Sequence, residues 1–275
     1  MAGTFRRGLS LVDDSVDVFR DNPRLALLPF LSLVAVGSAF ALVVGAALHF
    51  GITGNVLTND LLRYGGLFVA LAVSSSVGTF FNAAVAHCAS QYFDGKPVSV
   101  TGGLTAAWRA RRTIALWSVT AATLGTVLYI VDEKFGVFGS LARSLFDLAW
   151  ALLTFFVVPV LVLEDTRSLR PLLEQSGDAF RETWGESVTA SLGVSVAFLP
   201  VGLVGVGALA TAYVVVSGTV AYVVGAVGAV LLVVSMVGAQ VVGMVARTAL
   251  YRYARDGEQV GPFTGRSPDH VFPSE

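Results

Sequence analysis

Cysteine, histidine, lysine and charge of either sign are what this chain has least of. One cysteine, Cys88, occurs in 275 residues. No intramolecular disulfide can form, and the thiol, set in an apolar stretch, reads as a small buried hydrophobe. Three histidines and one cysteine, far apart in sequence, give no metal-ligand spacing. Lysine occurs only at Lys96 and Lys134 among 18 basic residues, a bias that fits a GC-rich or halophilic prokaryotic source. Charged residues make up 13%, against roughly 25% in an average soluble domain. The net charge is −1, with no basic block. That excludes an ordinary soluble globule, a disordered chain and an electrostatic nucleic-acid binder. No H-E-x-x-H, P-loop or G-x-S-x-G motif occurs. Residues 205–210 fit G-x-G-x-x-A only by letter, in mid-run with no strand before them. No catalytic residue, metal or cofactor is therefore predicted.

What is present is hydrophobic length. Mean hydropathy is +0.73, and a spanning helix needs about 20 apolar residues. Arg24 and Asp60 enclose 35 uncharged residues, apolar over 25–48; Arg63 and Asp94 enclose 30; Arg112 and Asp132 enclose 19. Residues 140–163 are apolar except for Arg143 and Asp147, and Glu186 and Arg247 enclose 60 uncharged residues. Sixty residues in one helix would be ~90 Å long, about three bilayer cores. A turn at 200–207 leaves unusable arms of 13 and 39 residues, whereas Ser217-Gly218-Thr219 leaves 30 and 27. The hairpin is placed there.

The expected fold is all-α: a polytopic membrane protein with six transmembrane helices over residues 1–255 and a disordered cytoplasmic tail over 256–275. Ala39-Phe40-Ala41 fits a signal-peptidase site. Even so, Asp13, Asp14, Asp17 and Asp21 crowd the segment before it, and the apolar run continues to Leu48, so the first span reads as retained. With six spans, one side carries Arg6, Arg7, Arg20, Arg24, Lys96, Arg109, Arg111, Arg112, Arg167, Arg170, Arg181, Arg247, Arg252, Arg255 and Arg266; the other has Arg63, Lys134 and Arg143. This 15-to-3 split puts the first side, with both termini, in the cytoplasm of a cell membrane.

Three short amphipathic helices are expected on that side, each ahead of two spans. The first covers residues 4–20, with Phe5, Leu9, Val12, Val16 and Phe19 on one face. The second covers 103–112, with Leu104, Ala107 and Trp108. The third covers 169–184, with Leu169, Leu172, Leu173, Ser176, Phe180 and Trp184. Each ends in an aromatic–arginine pair, Phe19-Arg20, Trp108-Arg109 and Phe180-Arg181, the aromatic expected at headgroup level. The unit, an interfacial helix plus a transmembrane hairpin, would occur three times. Small-residue stripes mark expected helix contacts: Gly37, Ala41 and Gly45 on the first span; Ser74, Gly78, Asn82, Ala86 and Ser90 on the second; Ala221, Gly225, Ala229, Ser235, Ala239 and Gly243 on the sixth. Pro159 and Pro200 are expected to kink spans four and five.

Ionisable and amide groups inside spans are the candidate sites. Arg143 and Asp147 stand one helical turn apart, at ion-pair spacing. Asn82, His87 and Gln91 form a polar group near the inner end of span two, and Gln240 is predicted to make an interhelical hydrogen bond in span six.

Phe80-Phe81-Asn82-Ala83-Ala84, Leu104 with Ala107-Trp108, Phe155-Phe156-Val157-Val158-Pro159-Val160 and Phe180-Arg181-Glu182-Thr183-Trp184-Gly185 resemble the landmarks of a prokaryotic multi-pass membrane family known only as a domain of unknown function. Phe19-Arg20-Asp21-Asn22-Pro23 and Leu27-Leu28-Pro29-Phe30 are similar too. The resemblance spans roughly residues 5–255 and implies no activity, cofactor or catalytic residue. Two functions stay open. One is a non-enzymatic scaffold or accessory subunit, working in the lipid bilayer as a homo-oligomer or with a partner membrane protein. The other is a transporter or channel for a small or lipidic solute, favoured by repetition, kinked spans and intramembrane polar groups.

Overall fold

The computed structural model describes residues 2–49, 59–164, 166 and 168–257. Nine α-helices occur among them: α1 (Ala2–Asp21), α2 (Leu27–His49), α3 (Asp60–Phe93), α4 (Val100–Arg109), α5 (Arg111–Leu153), α6 (Val157–Leu163), α7 (Leu169–Glu182), α8 (Trp184–Val214) and α9 (Thr219–Asp256), with a 3-10 turn at Pro23–Ala26. No strand occurs among the described residues. Phe5 and Leu9 lie outside the described side chains, and the tail from residue 258 lies outside the described residues.

Local chemistry sets several boundaries. The Asn59 side chain accepts from the Leu61 and Leu62 amides at 3.0 and 3.3 Å, capping α3. Ser99 caps α4 by accepting from the Gly102 amide at 3.2 Å. Gly218, at φ 66° and ψ −150°, makes the turn between α8 and α9 where the charge-free interval required one.

Among the described residues, five helical stretches are long and apolar enough to cross a membrane: Pro23–Leu42, Asp60–Phe93, Arg111–Leu163, Trp184–Val214 and Thr219–Asp256. The third has 53 residues and would be ~80 Å long if straight. It is not straight. Gly136 breaks α5 at φ 55° and ψ −128°, and the two arms run back along each other. Trp117 stacks on Trp150 at 5.5 Å and 5° between planes, and Phe146 continues the stack at 5.9 Å. A Cβ on Gly139 would collide with the Val131 carbonyl oxygen, so the turn closes through two glycines.

The second arm is interrupted rather than kinked. Pro159 has no N–H to give the Phe155 carbonyl, and its ring crowds that group. The helix stops at Leu153, turns, and resumes as α6. The Phe156 amide donates instead to Ser176 Oγ of α7 at 3.1 Å. Pro200 lies inside α8 without ending it.

The chain divides into two compact units. One holds Met1–Phe30, Cys88–Val98 and Glu182–Glu275; the other holds Leu31–His87 and Ser99–Arg181. In the first, α1 lies against both α8 and α9. Val12, Val16 and Phe19 pack with Val194, Phe198, Ala239 and Val242, as their spacing predicted. Asp14, Ser15 and Val18 are buried as well, because a helix resting on two neighbours hides more than one stripe. The α8–α9 contact is made by glycine. A Cβ on Gly205 would lie 2.9 Å from the Gly228 oxygen, and one on Gly228 would lie 2.8 Å from the Gly205 oxygen. Ser235 Oγ donates to the Phe198 carbonyl at 2.8 Å between the same helices.

Other expected contacts are absent or displaced. A Cβ on Gly37, Gly45 or Gly78 would meet nothing within 4 Å, and Ala41 and Ala229 are exposed. Four-residue spacing marks a face able to pack closely, but it does not say that a neighbour uses it. On α3 only the C-terminal part of the stripe, Ala86 and Ser90, is buried. The second short helix starts three residues earlier than expected and ends at Arg109, leaving Arg111 and Arg112 on α5. Trp184 opens α8 and is 60% exposed. Phe180, expected at headgroup level, is buried against Phe155 at 5.5 Å.

Candidate functional site

The polar groups gather at helix ends, in one cluster per unit. At the α5 hairpin, Arg143 Nε reaches Asp147 at 3.5 Å, the pair that the sequence spacing predicted. Its Nη1 also donates to Asp132 at 3.0 Å, across the fold-back. Beside it, Arg63 Nη2 donates to Glu133 at 2.6 Å and to Tyr64 Oη at 2.7 Å. Tyr64 Oη donates to Glu133 at 3.2 Å, and its ring meets Tyr129 edge-on at 6.4 Å. The start of α3 is thereby tied to the first arm of α5. Asp132 and Glu133 carry nothing in the sequence that marks them as site residues. They look like ordinary loop charges until the fold-back at Gly136 brings Arg143 to Asp132 and α3 brings Arg63 to Glu133.

In the other unit, Asp94 follows α3 and receives Arg252 Nη1 of α9 at 2.6 Å and Lys96 Nζ at 3.0 Å. Arg252 Nη1 also donates to the Ser90 carbonyl at 3.3 Å, and Tyr92 Oη donates to Asp21, the last residue of α1, at 2.7 Å. Burial by itself would raise the Asp94 carboxyl, but the hydrogen bonds from Arg252 and Lys96 outweigh it and hold it below its ordinary value. Nothing in the sequence marked Arg252 for Asp94, because the two are 158 residues apart.

The remaining candidates are spread out. Asn82, His87 and Gln91 are half-buried on α3, and Gln240 is half-buried on α9. None of Asn82, His87 and Gln240 lacks a partner. Asn82 and His87 belong to the unit that holds Arg143 and Asp147, while Gln91 and Gln240 belong to the other. Among the described residues, no three His, Cys, Asp or Glu side chains form a group that could hold a metal ion. Two hydroxyls of α5, Ser118 and Thr126, are buried without a hydrogen-bond partner among the described residues.

Long apolar helices, ionic ties near helix ends and at the α5 fold-back, and glycine contacts between α8 and α9 define an all-α protein with helices suited to a membrane. The chain belongs to the family of unknown function DUF6159, whose model matches residues 61–261. The match begins beyond the N-terminal residues that carried part of the resemblance. No curated protein and no solved structure matches the chain.

Proposed function

We propose that the chain is a six-span integral protein of a prokaryotic cell membrane, with both termini cytoplasmic, acting as a non-enzymatic scaffold or accessory subunit. The observation that carries this reading is the outward apolar face of α8 and α9. Val196, Leu203, Val223 and Val230 are each more than half exposed, over helices with no charge between Glu186 and Arg247. Such a surface is unfavourable in water and matched to lipid. The fold-back at Gly136 supports six spans from five apolar stretches. An even count keeps the 15 basic residues on one side. The arrangement is three repeats of a short helix followed by a hairpin: α1 with α2 and α3, α4 with the two arms of α5, and α7 with α8 and α9. The scaffold role is supported by how the best intramembrane candidates are used: Arg143 is shared between Asp132 and Asp147, as in a structural tie.

In a Cys88→Ala background, a membrane-impermeant maleimide added to intact cells is expected to label Lys134→Cys and to miss Lys96→Cys and Gln175→Cys; the reverse pattern refutes the topology. Native mass spectrometry of the full chain in mild detergent is expected to show a second copy or a second polypeptide in fixed stoichiometry. The transporter reading is favoured by the unpartnered hydroxyls of Ser118 and Thr126. Ser118→Cys, in the same background, is expected to resist a water-soluble maleimide in the folded protein. Rapid labelling there would favour a water-filled pathway instead.

A further inference from the structure

The segment from Trp108 to Arg112 joins α4 to α5 through one residue outside both helices, Ala110, at φ −82° and ψ 2°. Three of its residues are arginines, Arg109, Arg111 and Arg112, and all three are exposed. Elsewhere basic side chains are mostly neutralised: Arg63 by Glu133, Lys96 and Arg252 by Asp94, Arg143 by Asp132, Arg170 by Glu174, Arg181 by Asp178. Among the described residues, no carboxylate lies within 4.0 Å of Arg109, Arg111 or Arg112. In a chain of net charge −1, this is a local concentration of unpaired positive charge.

Beside it stands Trp108, 61% exposed. Its ring is fixed by Phe80, edge-on at 6.5 Å, and by the Arg111 guanidinium at 5.3 Å. Arg111 Nη1 also donates to the Trp108 carbonyl at 3.0 Å, so the indole and Arg111 are held together, with Arg109 and Arg112 exposed on either side in sequence. The apolar stretch of α5 begins immediately after Arg112. If α5 spans the bilayer, the guanidiniums stand within about one helical turn of the hydrocarbon edge, at the depth of lipid phosphates, with an indole of the kind favoured at that interface.

We propose that this elbow binds the phosphate headgroup of an anionic phospholipid, with Arg109 and Arg112 as the phosphate contacts and Arg111 locking Trp108 beside them. The proposal rests on the membrane reading above. Guanidinium donors pair bidentately with phosphate oxygens, and each basic residue near an anionic surface adds a favourable increment that salt screens.

The test is native mass spectrometry of the full chain in mild detergent, titrated with phosphatidylglycerol or with phosphatidylcholine of the same acyl length. The wild type is expected to prefer phosphatidylglycerol by about tenfold at low ionic strength. Arg109→Gln/Arg112→Gln is expected to lose most of that preference. Arg170→Gln/Arg181→Gln, which removes two ion-paired arginines, is expected to keep it. Raising salt from about 50 to about 500 mM should shrink the wild-type preference, and this comparison stands even if the double variant does not fold. Equal binding of the two lipids by the wild type, a preference indifferent to salt, or one kept by the double variant would overturn the proposal. Displacement of the lipid by inorganic phosphate at comparable concentration would overturn it in favour of a free-phosphate site. Recovery of the chain from lysed cells without detergent would refute the membrane reading itself, a separate result.

Discussion

Gly136 holds φ 55° and ψ −128°, a conformation that costs a residue with a Cβ about 1–3 kcal/mol. The Gly136→Ala variant is expected to lose stability on that order in thermal unfolding in detergent, and unchanged stability would mean that the turn is made elsewhere. Asp94 makes a pH-dependent contribution. Its carboxyl lies lower in the folded chain than when exposed, through Arg252 and Lys96. The stabilisation is therefore complete above the unfolded pKa and lost as pH falls through the folded one. The thermal midpoint of the wild type should exceed that of Asp94→Asn at about pH 7, and the gap should close towards about pH 3. A gap that widens on acidification would contradict the sign.

Helices α8 and α9 meet where two glycines face each other, so backbone lies against backbone at Gly205 and Gly228. Among lipid-like surroundings such contact is driven by packing and interhelical hydrogen bonds rather than by burial from water. Ser235 supplies one of those bonds to Phe198. Gly228→Leu is expected to cost on the order of 1–3 kcal/mol by overpacking. Gly78→Leu is expected to cost little, since a side chain there enters open space. A thermal-shift comparison of the two variants decides it. The same contrast shows what small-residue spacing conveys. Gly37, Gly45, Gly78, Gly205 and Gly228 look alike in sequence, and only the last two have a neighbour against them.

For the molecule as a whole, the one cysteine is a natural reporter. Cys88 is fully buried, so thiol labelling of the native chain should be slow and should rise only with unfolding. Fast labelling under native conditions would mean that the C-terminal part of α3 is not packed as described. The ionic clusters also belong to this scale. Asp132 gains its meaning from the closure of α5, Glu133 and Arg63 from the packing of α3 beside its first arm, and Asp94 from α9.

The sequence by itself determined the helical class, the apolar stretches, the fold-back at Gly218 and the packed face of α1 at Val12, Val16 and Phe19. Each of these depends on spacing and length along one segment, because a helix repeats every 3.6 residues and a bilayer limits how long a span can be. The Arg143–Asp147 pair was legible for the same reason, as a contact within one turn. The tertiary structure alone decided that Arg143 also takes Asp132, that Arg252 takes Asp94, that Phe180 turns inward and that Gly78 faces open space. Those outcomes depend on which helix lies beside which. Small residues and charges permit many pairings, and only the folded chain selects among them through distance and packing.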